Sequence, residues 1–571
     1  MTKRTKTVRA AVAAAAVGAA ACTAGGPRPE VTADAIYSGG PIVTVSDAQP
    51  SAEALAVKDG KILAVETRLE VERAHKGAAT RAVDLGGRTL APGFVDGHMH
   101  VLALGAQAVG ANLLAPPDGG VETVDDLVVK LREFARSPDV ARTGWIFGTG
   151  YDDALLGRHP NRDDLDKVST EVPVIAMHIS GHFSAVNSAA LRKIGYTAAT
   201  KDPEGGVIRR RPGSREPLGV NEETAHFAYL FQALSPRKPE DQDYFLQKGL
   251  ELAKSFGHTT ASEGRLMAPQ HADLVSASER GLLDIDVMAY VDYTAKDVLA
   301  SPWFSRSYKG RYRLAGLKIT LDGSPQGRTA WRSIPYLVPP DGQAKGYKGY
   351  PSIPDTALVA SLVEEAYEKG WPVHVHANGD AAIDQMLEAI RPAQQRHGPG
   401  DRRNSLIHGQ LLRPDQIPVL AELQLFPSLF PMHTFYWGDW YDTIIGPEAA
   451  QQISPMRSVL NAGMIATSHT DAPVALPNLM RVMWATVNRT SRSGKVMGPG
   501  ERLTPLEALK AITLWGAHQH FEEKTKGSLE PGKLADMVVL SDNPLTIDPA
   551  RINTIQVLQT IKEGRTVYTR H

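Results

Sequence analysis

The 571-residue chain holds one cysteine, Cys22, and one thiol cannot form an internal disulfide framework. Neither sign of charge is in excess: 62 basic side chains stand against 63 acidic ones, a formal net charge of −1. That balance gives no support to a nucleic-acid partner or an acidic-membrane surface. Long hydrophobic runs are missing. The small-apolar stretch Ala10 to Ala21 is too short to cross a bilayer. No Gly-x-Ser-x-Gly elbow sits in a strand–turn–helix setting, so no serine-hydrolase reading competes. Gly148-Thr149-Gly150 is a fragment of a glycine motif without the rest of a dinucleotide fingerprint. No internal repeat is visible. What the chain does have is ample length, 42% hydrophobic residues, 51 glycines and 39 prolines. These suit a loop-rich enzyme with more than one domain better than a bundle or coiled coil.

The first residues read as a targeting segment. Lys3, Arg4, Lys6 and Arg9 precede the Ala10–Ala21 run, and Cys22 follows it directly. A signal ending in cysteine resembles a bacterial lipobox, with Cys22 as the lipidated terminus; plain secretion is the alternative. Residues 23–33 read as a tether. Membrane contact is expected only through that lipid, in the cell envelope.

Residues 35–90 read as β-structure, with Asp59-Gly60 as a hairpin signal. The C-terminus looks alike: Met537 to Leu540, then Gln556 to Ile561 and Arg565 to Tyr568 around Glu563-Gly564. The two ends are expected to pair into one small β-domain. The middle alternates short apolar runs with helical patterns, the signature of a parallel α/β architecture. Strand-like runs are Val174–Met177, Leu314–Leu321, Val373–Val375, Ser405–Ile407 and Met464–Thr467. Helices are predicted over Asp355–Lys369, stopped by Gly370, and over Pro505–Trp515, with Thr504 and Glu507 as a capping box.

Gly93-Phe94-Val95-Asp96-Gly97-His98-Met99-His100 is the most informative stretch. Two histidines at i and i+2 share one face of a strand and can reach one metal ion, although alone they could equally be ordinary strand-end residues. A series of candidates follows. Lys318 lies inside the apolar run Leu314 to Leu321. Burial favours its neutral amine, available as a nucleophile, a Schiff-base former or a carbamate; the alternative is a lysine snorkelling outward. His374 and His376 repeat the i, i+2 spacing, and His408 ends the next run. Asp471, after Gly463-Met464-Ile465-Ala466, is a helix cap, a metal ligand or a general base. In parallel barrels catalytic residues sit at the C-terminal ends of strands, and each candidate lies in or just after an apolar run.

Taken in order, these motifs resemble the amidohydrolase superfamily, and more closely its amidohydrolase-3 branch, which includes N-substituted formamide deformylases. The resemblance covers roughly residues 34–568. It rests on Ala91 to His100, Leu317 to Ser324, His376 to Asp380, Asp471 to Val474 and Gly532 to Leu540, with His159-Pro160 and His182 to Ser188 between. One departure is Ser468-His469-Thr470-Asp471, where the branch more often has Ser-Asp directly. The resemblance implies a distorted (β/α)8 TIM barrel with a small β-sandwich built from both termini. The expected division is a signal at 1–22, a linker at 23–33, sandwich strands at 34–90, the barrel at 91–520 with an inserted lid or subdomain at about 105–230, and the rest of the sandwich at 521–571. It also implies that His98 and His100 bind one divalent metal, most readily Zn²⁺, and that a carboxylated Lys318 bridges to a second held by His376 and His408. Asp471 would touch metal and water, taking a proton from the water and returning it to the departing nitrogen. His374 is not required by the pattern.

Specificity is less legible. Met432 to Tyr441 is strongly aromatic; His433, Tyr436 and Trp437 form either an apolar substrate pocket or ordinary packing. His182 either enters the site or packs. The expected activity is hydrolysis of a non-peptide carbon–nitrogen bond in a small linear amide. Opening of a cyclic amide or imide, or deamination, is the alternative within enzymes. A metal- or solute-binding surface lipoprotein is the non-enzymatic alternative.

Overall fold

The computed structural model describes residues 31–570 apart from 235, 237 and 341. The expected signal segment, Cys22 and most of the 23–33 tether lie outside them. Among the described residues no helix is long and apolar enough to cross a membrane.

Eight parallel strands form the central sheet: Phe94–Val95, His258–Leu266, Asp286–Asp292, Tyr312–Thr320, Val373–Ala377, Ser405–His408, Phe426–Leu429 and Thr467–Ser468. In all but one of them every residue is buried, and the exception, His258–Leu266, has one residue that is not. Burial on both faces is the condition that makes strands of parallel sheets read as continuous apolar runs. The sheet curls until its edges meet. Beyond the strand ends, the Asp471 N–H donates to the His98 carbonyl (3.0 Å) and the His100 N–H to the Ala472 carbonyl (2.7 Å). The Asp96 carboxylate fastens the same seam, accepting from the N–H groups of His98 (3.1 Å) and Thr470 (3.2 Å). The domain is TIM-barrel-like.

Both chain ends share a second, eight-stranded sheet, in which Thr89–Pro92 pairs antiparallel with Met537–Leu540. Its two hairpins turn at Asp59-Gly60 and Glu563-Gly564, and all four of these residues have positive φ, from 48° to 75°. That is the geometry of a type I′ turn, whose twist matches the strands it joins.

A third, six-stranded sheet lies between the first two barrel strands, from Ala111–Asn112 to Pro217–Glu223. Val174–His178 belongs to this sheet and not to the central one. It has a parallel neighbour in Ile146–Tyr151 and an antiparallel one in Phe183–Val186. A short buried apolar run reads alike in either sheet. The helix after Thr504 also differs. Its capping box forms as expected, but Pro505–Ala511 stops before Thr513, whose φ −134° and ψ −91° are not helical, and a separate helix runs over Leu514–Gln519. Thr356–Lys369 begins on the Asp355 cap and ends on left-handed Gly370, as the sequence predicts.

A buried ionic network ties the barrel's lower rim to the terminal sheet. Asp286 starts the third barrel strand and accepts from Lys526 and Lys562 (2.6 Å for the latter); Lys562 also reaches Asp536 (2.7 Å). Glu522 pairs with Lys526 (3.0 Å) and Arg313 (3.1 Å). Burial alone would raise the Glu522 carboxyl pKa, but the charges of Lys526 and Arg313 outweigh it and hold it down to about 2. A depressed carboxyl pKa stabilises the fold above the unfolded value of 4.5, and the contribution disappears as pH falls through the folded value. Glu522→Gln, leaving two buried cations short of a partner, should cost about 3–5 kcal/mol at neutral pH. Urea unfolding of both proteins across pH should show the difference shrinking below about pH 4 and vanishing near the folded value. A gap independent of pH would rule out the ionic origin.

Candidate functional site

The C-terminal ends of the barrel strands bring His98, His100, Lys318, His376, His408 and Asp471 together, and all but the buried His98 line one cavity. His98 and His100 follow the first strand, Lys318 lies two residues and His376 one residue before the end of its strand, His408 closes its strand, and Asp471 follows the eighth. His98 Nε2 and His100 Nε2 each lie 3.5 Å from Asp471 Oδ1. Lys318 Nζ is 3.3 Å from His98 Nε2. His408 Nε2 is 3.9 Å from Asp471 Oδ2, and the His376 and His408 rings lie 4.5 Å apart, edge to face.

Two backbone conditions make this convergence possible. Asp471 has φ +50°, a left-handed conformation that aspartate and asparagine tolerate better than other side chains. Gly264 admits the His98 ring, because a Cβ there would lie 2.2 Å from Cε1 of His98.

Electrostatics suits ligation. Burial holds His98, His376, His408 and His469 well below the ordinary imidazole pKa, and neighbouring cationic groups, Lys318 among them, add to it. Neutral imidazole is the form that binds a metal. His100 differs. Burial would lower its pKa, but hydrogen bonds with Asp471 and Glu263 and their charges push it up to about 9, so ligation there displaces a proton. Desolvation lowers Lys318, 2% exposed, to about 7.

The metal-type donor set is His98, His100 and Asp471, whose ligating atoms all lie within 4.8 Å of one another. Two imidazoles and a carboxylate with room beside them match the open sets of catalytic zinc sites, so the residues fit a divalent cation.

Several participants escaped the sequence reading. Glu263 accepts from Leu102 N–H (3.0 Å) and lies 3.2 Å from His100 Nδ1, orienting that ring. Its strand, His258-Thr259-Thr260-Ala261-Ser262-Glu263, is too polar to be read as buried. His469, which looked like an insertion, lies 3.0 Å from His408 Nδ1 through Nε2 and 3.0 Å from Ser428 Oγ through Nδ1. His374 stands apart from the cavity, its ring stacked on Tyr290 at 3.3 Å.

The cavity, about 220 Å³, runs from these polar groups to an apolar wall that includes Leu102, Met177, Phe227, Leu230 and Phe245. His182 lines it. His433, Tyr436 and Trp437 do not, which corrects the first of their two readings. Their polar ends turn into packing instead: His433 Nδ1 lies 2.6 Å from the Tyr441 hydroxyl, Tyr436 Oη donates to Asp118 (2.6 Å) and Trp437 Nε1 to Asp152 (3.2 Å). They brace the barrel against the inserted sheet. The apolar wall comes from that sheet and the helices around it.

A curled parallel sheet with a histidine and carboxylate cluster at its C-terminal mouth defines a class, the barrel hydrolases that use a metal. Residues 81–568 match the model of the amidohydrolase family. The chain belongs to that family, hydrolases acting on carbon–nitrogen bonds. It is 27% identical over 547 residues to YtcJ of Bacillus subtilis, an amidohydrolase by name, covering 94% of this chain and 99% of the relative. It is 27% identical over 545 residues to the N-substituted formamide deformylase of Arthrobacter pascens, covering 92% and 97%. The crystal structure of an uncharacterized metal-dependent hydrolase from Pyrococcus horikoshii superposes with a TM-score of 0.71 at 24% identity, over 90% of this chain and 99% of that one.

Proposed function

We propose that the protein hydrolyses a linear, non-peptide amide of the N-acyl or N-formyl amine type. The observation that carries the reading is the meeting of His98, His100 and Asp471 at one end of a cavity whose far wall is apolar. The deformylase relative supports a linear amide. His98, His100 and Asp471 would hold one divalent cation, zinc suiting the donor set, and a carboxylated Lys318 with His376 and His408 would hold a second. Bound there, such a cation polarises an amide carbonyl and lowers the pKa of water.

Asp471 Oδ1 is the oxygen paired with His98 and His100, and Oδ2, 3.9 Å from His408 Nε2, accepts the proton of the attacking water. It then gives that proton to the departing nitrogen. Lys318, as its neutral amine, adds carbon dioxide: the nitrogen bonds to the carbon, one N–H proton leaves to solvent, and an anionic carbamate remains among neutral imidazoles. The apolar wall takes the alkyl or aryl substituent and excludes water. Export with acylation of Cys22 is part of the same proposal and rests on the N-terminal sequence alone.

Chelation followed by a substrate panel tests the reading. Linear amides should be hydrolysed, activity should fall at least about a hundredfold on metal removal, and Zn²⁺ or Mn²⁺ should restore it. Turnover confined to cyclic imides, or activity indifferent to chelators, would overturn it.

A further inference from the structure

We propose that His182 and Glu223 form an amide-recognition pair, in which His182 Nε2 accepts the N–H of the substrate. The protein is then selective for amides that carry an N–H, over esters and N,N-disubstituted amides. This rests on the amide-hydrolase reading above and names its substrate class.

His182 reaches the cavity from the inserted sheet, its ring centroid 5.2 Å from that of His376. Its Nδ1 lies 2.6 Å from Glu223 Oε2. A carboxylate accepts, so Nδ1 carries the proton, and the tautomer fixed in this way turns Nε2 toward the cavity as an acceptor. Among the described residues that nitrogen has no hydrogen-bond partner, while the ring lines the cavity.

Glu223 is held in place with unusual care. Thr329 Oγ1 donates to its other oxygen (2.6 Å), and its backbone N–H donates to the His182 carbonyl (2.9 Å). Its φ is +48°, a left-handed conformation that a glutamate rarely adopts. Gly323 makes room for the carboxylate, because a Cβ there would lie 2.1 Å from Glu223 Oε1. Buried His226 fixes the turn before His182, with Nε2 3.1 Å from the Gly181 carbonyl and Nδ1 2.8 Å from Ser184 Oγ. A packing histidine needs none of this.

An N–H amide satisfies the free Nε2 lone pair. An ester sets an oxygen lone pair against it, and an N,N-disubstituted amide sets a carbon there. Once the carbonyl carbon becomes tetrahedral, an N–H held by His182 leaves the nitrogen lone pair directed elsewhere, open to the proton from Asp471.

The test uses metal-loaded enzyme with a matched set: an N-alkyl amide, its N-methylated counterpart and the corresponding ester. His182→Ala and Glu223→Ala should each lower kcat/KM for the N–H amide by about tenfold or more, and for the ester by less than about threefold. Wild type should favour the N–H amide over the N-methylated one. Metal content is measured alongside, and the second variant carries the test if the first fails to fold. Equal losses on amide and ester, or no loss on either, would overturn the pair's role while leaving the hydrolase reading intact. A wild type that turns over no amide would overturn both.

Discussion

Asp471→Asn should lower kcat by about a hundredfold to ten-thousandfold, the range for loss of a positioned general base, while metal stays bound. Asparagine is the informative replacement for two reasons. It tolerates the left-handed backbone at this position (φ +50°), so the strand-end turn and its bond to the His98 carbonyl persist. It also keeps a carbonyl oxygen beside His98 and His100. What it cannot do is accept and return a proton. Steady-state kinetics with metal analysis of the same sample check this, and near-normal turnover with full metal would remove Asp471 from the mechanism.

Lys318→Ala should have an effect of similar size for a different reason. The side chain lies in a strand with no exposed residue, and desolvation brings its pKa to about 7. Roughly half of it is then neutral near neutral pH, the form that adds carbon dioxide. An anionic carbamate beside His98, His376 and His408 would supply the negative charge that three neutral imidazoles lack. Removing the side chain should therefore lower metal occupancy and cut activity at least about a hundredfold. Short carboxylic acids, which resemble the carbamate, should restore part of the activity. Rescue by small amines instead would show that the free amine acts, and intact-protein mass spectrometry of wild type under carbon dioxide gives an independent reading.

Much of the site was legible from residue order. His98, His100, Lys318, His376, His408 and Asp471 each end or interrupt an apolar run, and strand ends are where a parallel barrel places its chemistry. The turn and cap residues were legible because their effects are local: Asp59-Gly60, Gly370 and Thr504 act within a few positions of themselves. His374 shows the limit of the i, i+2 argument. It is in register with Lys318, and His376 with Thr320, so His374 lies nearer the start of its strand and meets Tyr290 instead of the cavity. The aromatic segment left two readings open for a related reason. Apolar rings after a barrel strand are equally suited to a pocket and to a seam between sheets, and composition carries no direction.

Periodicity, turn chemistry and spacing are properties of neighbouring residues, and they were enough to suggest a parallel α/β middle and to pick out candidate residues at strand ends; the family followed from the resemblance of whole motifs and from the match over residues 81–568. Only the folded chain settled which distant segments meet. Glu263 orients His100 across 163 positions, His469 braces His408 across 61, and Thr329 holds Glu223 across 106. Such contacts depend on how the sheets dock and on the room left by single glycines, Gly264 for the His98 ring and Gly323 for the Glu223 carboxylate. No local pattern encodes either. The residues of the metal-type cluster could therefore be named from the sequence, while the apolar wall of the cavity could be read only in three dimensions.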